Sequence, residues 1–210
     1  MHRMGIDCRR FAFAARTPAP DGVTRMVSVA RLVEKKGLAY ALQAMARLVR
    51  QHPAFAYTIV GDGPLRPELE ALAADLGLSR RVRFAGWRGP EEVRRILAAG
   101  QIFIAPSVTA DNGDAEGVPV AMMEAMAVGL PVLGTVHSGI PELVADGVSG
   151  YLVPERDADA LAAQLERLLS SPASWPVMGR AGRTRVEREF NIERLNDRLV
   201  ARLEEIRSAL

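Results

Sequence analysis

The residues best suited to chemistry are two carboxylates, Glu116 and Glu124, eight positions apart in the stretch Glu116-Gly-Val-Pro-Val-Ala-Met-Met-Glu124. Glu124 sits in an otherwise apolar run, Val120 to Val128, where a buried carboxylate without a partner is costly. A donor is expected to meet it. The hydroxyls of a ribose diol would serve, as they do for the acidic residue of dinucleotide-binding folds, and so would an arginine of the protein itself. Gly117 and Val118 stand just ahead of the run. If the run is a helix, its amino end carries partial positive charge there, which favours phosphate.

Two cations, Arg31 and Lys36, are five residues apart ahead of Gly37, and of 27 basic residues only Lys35 and Lys36 are lysines. An arginine fork and a compact ammonium at a strand's carboxyl end can grip a diphosphate from two sides. The alternative is a solvated loop with ordinary charges. Lys35, beside Lys36, is expected to point elsewhere. A third loop reads Gly61-Asp-Gly63-Pro64. Its glycines allow positive φ and close backbone approach to a ligand, or simply a tight turn, and Pro64 suits a first helical turn. Arg66 occupies the place of a third glycine, so the dinucleotide fingerprint is not met. The string Asp111-Asn-Gly-Asp114 fits no calcium loop and is expected to be a flexible surface loop.

The elements that position these loops follow from periodicity. Short apolar β-type runs occur at Met26–Ala30, Ala56–Val60, Val82–Ala85, Ile102–Ala105, Pro131–Gly134 and Tyr151–Val153. Their largely apolar, non-alternating character is that of parallel strands buried on both faces. Amphipathic stretches lie between them, marked by Leu38, Leu42, Met45 and Val49, by Leu65, Leu69, Leu72 and Leu76, by Val93, Ile96 and Leu97, and by Val120 to Val128. Strand–helix alternation over six strands predicts an α/β doubly wound parallel sheet, with ligands beyond the strands' carboxyl ends. After Asp157 the pattern is helical, broken near Pro172, Pro176 and Phe190–Asn191. The expected division is a connector at 1–24, a Rossmann-like domain at 25–172 and a helical segment at 173–210.

Composition narrows the alternatives. A single cysteine, Cys8, excludes an internal disulfide, and three histidines leave little for zinc. A net charge of +2 with 5% aromatic residues gives no footprint for nucleic acid. No apolar leader follows Met1, and the longest apolar run, Val118 to Val136, is interrupted by Glu124, Pro119, Pro131, Gly129 and Gly134. A cytoplasmic protein is expected, with at most peripheral association at the inner face of a membrane.

Glu116 and Glu124 in EGVPVAMMEAMAVGLPV resemble the E-x7-E motif of retaining glycosyltransferases of family 4, with the GT-B fold. VARLVEKKG, VGDGP, VRFAGW and HSGIPELVADGVSGYLVP follow in the order that family has them, so the likeness covers about residues 2–192. The loop GDAEGVPVAMMEAMAVG and the following HSGIPELV are most similar to members that build exopolysaccharides such as colanic acid. The resemblance implies roles. Arg31 and Lys36 hold the diphosphate, Glu124 binds ribose, and Glu116 faces the donor sugar beside the Gly117 and Val118 amides. Gly61 and Gly63 line the nucleotide site, while Gly86, Trp87 and Arg88 border the base.

It further implies transfer of a hexose from a UDP- or GDP-type sugar donor to a glycan or lipid-linked acceptor. No metal is required and there is no other cofactor. Pro119 and Ser138 depart from common forms of the motifs, and Pro119 has no amide hydrogen for a phosphate. An amino-terminal domain carrying the acceptor is expected to be absent. The last helical stretch, which would pack toward that domain, is expected to leave apolar surface exposed. A sugar-nucleotide epimerase and a non-catalytic sugar-nucleotide-binding module are the competing functions.

Overall fold

A computed structural model of the protein describes residues 4–52 and 54–208. Six strands form one parallel sheet: β1 (Thr24–Val29), β2 (Phe55–Val60), β3 (Val82–Gly86), β4 (Ile102–Ala105), β5 (Val132–Thr135) and β6 (Gly150–Val153). Their order is β3-β2-β1-β4-β5-β6, so the winding reverses between β1 and β4. That reversal opens a crevice at the carboxyl ends of those two strands.

Alternate side chains leave each strand on opposite faces, and both faces are covered. Met26, Ile102, Ile104 and Leu133 enter one core with α1 (Leu38–Leu48), α2 (Arg66–Asp75) and α6 (Ala158–Ser170). Val27, Phe103 and Val132 enter the other with α3 (Pro90–Ala99), α4 (Val120–Ala127) and the short α5 (Ile140–Leu143). Burial on both faces is why β4 is apolar throughout rather than alternating, whereas β3, at the sheet's edge, carries the exposed Arg83. Helices α7 (Trp175–Glu189) and α8 (Ile192–Ser208) complete the chain.

Most strand boundaries shift by one or two residues from the sequence expectation, two of them for clear backbone reasons. β5 starts at Val132 because Pro131 has no N–H for the ladder, although its carbonyl accepts from Phe103 at 3.0 Å. β1 starts earlier, at Thr24, because its amide finds the Ala54 carbonyl at 3.0 Å regardless of side-chain polarity. The first two dozen residues, aperiodic in sequence, are packed in place from Ile6 onward. Cys8 and Phe11 are buried in the second core. The buried guanidinium of Arg16 donates to the carbonyls of Ala98 and Val128, satisfying the carboxyl ends of α3 and α4. Ile6 exchanges backbone hydrogen bonds of 2.9 Å with Phe190 and Ile192 at the α7–α8 junction.

Helix α8 buries Leu195 but leaves Leu199, Val200, Leu203 and Ile206 each more than 40% exposed. This is the exposed apolar surface expected of the last helical stretch. Among the described residues no helix is long and apolar enough to cross a membrane.

Candidate functional site

Lys36 ends a single 3-10 turn, Glu34–Lys36, and Gly37 follows with φ 60°. A Cβ on Gly37 would lie 1.9 Å from the Pro106 carbonyl oxygen, so only glycine lets the β1–α1 loop rest on the β4–α4 loop. The Val108 amide donates to the Lys35 carbonyl at 2.9 Å and joins the two loops. Side chains from opposite sides of the crevice thereby meet: the Lys36 ammonium forms an ion pair with Glu116. The Glu116 side chain is only 9% exposed. Lys36, Glu116, Gly117, Val118 and the first residues of α4 wall a cavity of about 340 Å³ at the carboxyl ends of β1 and β4.

A second hollow adjoins it, sharing Val29 and Ala30. Arg31, Gly61, Asp62, Trp87 and Arg88 line it. Trp87 is 73% exposed, an aromatic face without a cover. Gly61 has φ 129°, and a Cβ there would lie 1.9 Å from the Ala30 carbonyl oxygen. Its amide donates to Gly86 O at 2.8 Å. A Cβ on Gly63 would likewise crowd Leu32 O, at 2.5 Å. Gly61 and Gly63 therefore bring this loop against the end of β1, a structural demand independent of any ligand.

The structure thus gathers Lys36, Glu116, Gly117 and Val118 in one cavity, and Arg31, Gly61, Trp87 and Arg88 in the next, with Gly63 and Gly86 behind them. Glu124 lines neither hollow. It is half-buried on α4, and burial pushes its carboxyl above the usual range against the attraction of Arg94 and Arg10. Among the described residues no hydrogen bond or ion pair closes on it, so the arginine bridge is not formed.

Two expectations gain detail. The segment around Asp111–Asp114 lies at the surface, as expected, and its carboxylates have cationic partners. Arg156 pairs with Asp111 at 2.9 Å, Lys35 pairs with Asp114 at 2.9 Å, and Glu34 accepts from the Asp111 amide at 3.0 Å. Lys35 points away from the cavity, as expected: besides Asp114 it meets the Ala115 carbonyl, to which it donates at 3.3 Å, immediately before Glu116. Sequence reasoning missed two further residues. His137, 1% exposed, accepts from the Glu116 amide through Nε2 at 3.0 Å and meets Glu155 through Nδ1 at 2.6 Å. Glu155 also accepts from the Thr109 amide at 2.7 Å. Burial pushes its carboxyl up, but Thr109 and His137 together hold it below the usual range. His137 stood within a recognised motif; nothing near Glu155 in sequence marked it.

A larger hollow, about 590 Å³, lies over α7 between Val148, Val177, Arg180 and Arg185. It is remote from the converging loops, and size alone does not make it the site. Among the described residues no group of three or more His, Cys, Asp or Glu is placed to hold a metal.

Comparison with known proteins places this geometry. The profile of the family described as "Glycosyl transferases group 1" matches residues 10–185. The chain is 48% identical over 189 residues to the amylovoran biosynthesis glycosyltransferase AmsK of Erwinia amylovora, covering 90% of this chain and 46% of that protein. It is 45% identical over 206 residues to a putative colanic acid biosynthesis glycosyltransferase, WcaL, of Salmonella typhimurium, covering 97% and 50%. Sucrose-phosphate synthase from Thermosynechococcus elongatus superposes with a TM-score of 0.84 at 27% identity, over 100% of this chain and 53% of that one. Anabaena HepE, solved with UDP and glucose, gives 0.81 at 22% identity over 96% and 55%. The chain spans about half the length of the curated relatives it matches. With the six-stranded doubly wound sheet and a family match over most of its length, the chain belongs to the group 1 glycosyltransferases.

Proposed function

We propose that this chain is the donor-binding half of a retaining glycosyltransferase, one that moves a hexose from a UDP- or GDP-sugar to a glycan or lipid-linked acceptor during exopolysaccharide assembly. The observation that carries the reading is the meeting of Lys36, Glu116 and the amino end of α4 around one cavity at the topological switch point. The diphosphate would lie between Lys36 and the first amides of α4, where an ammonium and a helix terminus both favour negative charge. Arg31 would close on it from the neighbouring hollow, and Trp87 there offers a face for the base. Glu116 would face the sugar. Glu124, half-buried and short of a donor, would take the ribose hydroxyls, although it lies outside the lining of both hollows.

In the transfer, the anomeric carbon bonds to an acceptor hydroxyl oxygen while the diphosphate leaves with the bonding electrons, and the hydroxyl's proton passes to an oxygen of the departing diphosphate. The sugar becomes oxocarbenium-like and the diphosphate gains negative charge. Lys36, Arg31 and the α4 terminus would stand where that charge develops, which is preorganised electrostatic stabilisation. This scheme needs no divalent metal. The acceptor site would belong to the remainder of the longer protein, and the apolar stripe on α8 is suited to pack against it. Similarity to exopolysaccharide glycosyltransferases supports transfer over a sugar-nucleotide epimerase.

A thermal-shift and calorimetric panel of UDP, GDP, UDP-glucose and GDP-mannose tests the reading. One nucleotide series should raise the melting temperature by mass action. Binding of none of them would remove the donor site from this chain.

A further inference from the structure

We infer that His137 and Glu155 act together as positioning residues, fixing the backbone of Glu116 so that its carboxylate faces the donor sugar. The inference rests on reading Glu116 as the sugar-facing residue, and it adds two residues that contact no donor themselves.

The geometry fixes the protonation of the ring. Nε2 of His137 accepts from the Glu116 amide at 3.0 Å, so that nitrogen carries no proton. Nδ1 lies 2.6 Å from a Glu155 carboxylate oxygen, so it must be the N–H that donates there. The other Glu155 oxygen is occupied by the Thr109 amide at 2.7 Å. A carboxylate thus selects the tautomer, and the tautomer makes the acceptor that Glu116 needs. The next residue completes the grip: the Ser138 hydroxyl donates to the Glu116 carbonyl. Ser138 has φ 44°, an uncommon conformation for a residue with a Cβ. Strain of this kind persists only where surrounding contacts over-determine it. Gly139 lies so close that a Cβ would stand 2.7 Å from Val118 Cγ2. Residues 137–139 are therefore moulded onto Glu116–Val118, the segment that walls the cavity.

A loop amide can ordinarily be satisfied by water at little cost. Here a ring only 1% exposed does so, and it is aligned by a second carboxylate. Sub-ångström placement of a sugar-facing group is the purpose such an arrangement serves.

The test measures the sugar-dependent part of binding, the ratio of nucleoside diphosphate to nucleotide-sugar dissociation constants. UDP is compared with UDP-glucose, and GDP with GDP-mannose, using the 210-residue chain. His137→Ala and Glu155→Gln should each reduce that ratio by about three- to tenfold, the scale of one hydrogen bond. Affinity for UDP or GDP itself should stay within about twofold, because Lys36 and α4 are untouched. His137→Gln, which keeps an acceptor near the Nε2 position, should restore most of the ratio. Nitrogen-15 spectra of the ring should show the Nδ1–H tautomer in the parent chain. In Glu155→Gln they should show a shift toward Nε2–H. Equal losses for nucleoside diphosphate and nucleotide sugar, or an unchanged ratio, would overturn the inference, as would His137→Gln behaving like His137→Ala. Glu116→Gln separates this from the underlying reading. If it lowers the ratio while His137→Ala does not, only the positioning role falls. If Glu116→Gln leaves the ratio intact, the sugar-facing assignment falls with it.

Discussion

The Lys35 ammonium lies 2.9 Å from a carboxylate oxygen of Asp114, across 79 residues of sequence and two positions ahead of Glu116. Its neighbour Lys36 meets Glu116 itself. The two adjacent lysines divide the work between them: one ties down the loop, the other enters the cavity that the loop completes.

That division separates the two alanine variants. Lys36→Ala should weaken nucleoside diphosphate binding by about 1.5–3 kcal/mol, the range for a hydrogen bond to a charged group. Lys35→Ala removes a half-exposed ion pair and should cost less than about 1 kcal/mol, felt as looser binding rather than a lost contact. Titration calorimetry on both variants decides it. Equal losses from the two would take Lys36 out of the phosphate site.

Glu124 should set stability against binding. Its carboxyl is raised in the folded chain by burial, so its contribution to stability is fully present below the unfolded-state value. It is lost as pH rises through the raised folded value, which leaves a penalty at neutral pH. Glu124→Gln should therefore melt higher than the parent at pH 7, with the gap closing toward pH 4. It should also weaken nucleoside diphosphate binding, because one acceptor becomes a donor, while inorganic pyrophosphate loses little. A variant that melts lower at neutral pH and binds every ligand as before would return Glu124 to a structural role.

The fold was readable because the strands are mostly apolar and largely buried, β4 and β5 most completely. Apolar runs such as Ile102–Ala105 and helix stripes such as Leu38, Leu42 and Met45 carry their periodicity openly. The cavity-lining residues were readable because cations, glycines and carboxylates cluster at loop positions. What stayed hidden was long-range and polar. Nothing local to Glu155 indicates that it meets His137 and Thr109, and nothing local to Arg156 predicts its pairing with Asp111. Nor could sequence show that Gly61 is required by the Ala30 carbonyl. Tertiary packing sets these relationships, and no periodicity reports it.

Two glycines in the proposed donor region should respond in opposite ways to alanine. At Gly61, φ 129° and a Cβ 1.9 Å from Ala30 O make any side chain a strain. Gly61→Ala should cost about 1–3 kcal/mol in urea unfolding. At Gly117 a Cβ meets nothing within 4 Å, and the residue walls the cavity. Gly117→Ala should hold its stability within about 0.5 kcal/mol and still lose nucleotide-sugar affinity, since the methyl enters ligand space. Unchanged affinity there would show that no ligand passes that wall.

Binding and transfer should separate in this chain. Its cavity is walled by loops of a single sheet, and the chain spans about half the length of the relatives it matches. The groups proposed to grip a nucleoside diphosphate, Lys36, Arg31 and the α4 terminus, all lie on this chain. Binding should therefore be measurable, though weak, because water reaches the cavity and screens those charges. Transfer makes a further demand. An acceptor hydroxyl must be held about 3–3.5 Å from the anomeric carbon, and that positioning supplies much of the rate. If the acceptor is held by the remainder of a longer protein, as proposed, slow hydrolysis of the donor is the most these residues alone should support. Incubation with radiolabelled UDP-glucose and GDP-mannose, with and without lipid-linked acceptors, measures both products. Release of free sugar at a rate indifferent to acceptor is the expected result. Robust acceptor-dependent transfer by these 210 residues alone would instead place the acceptor site within them.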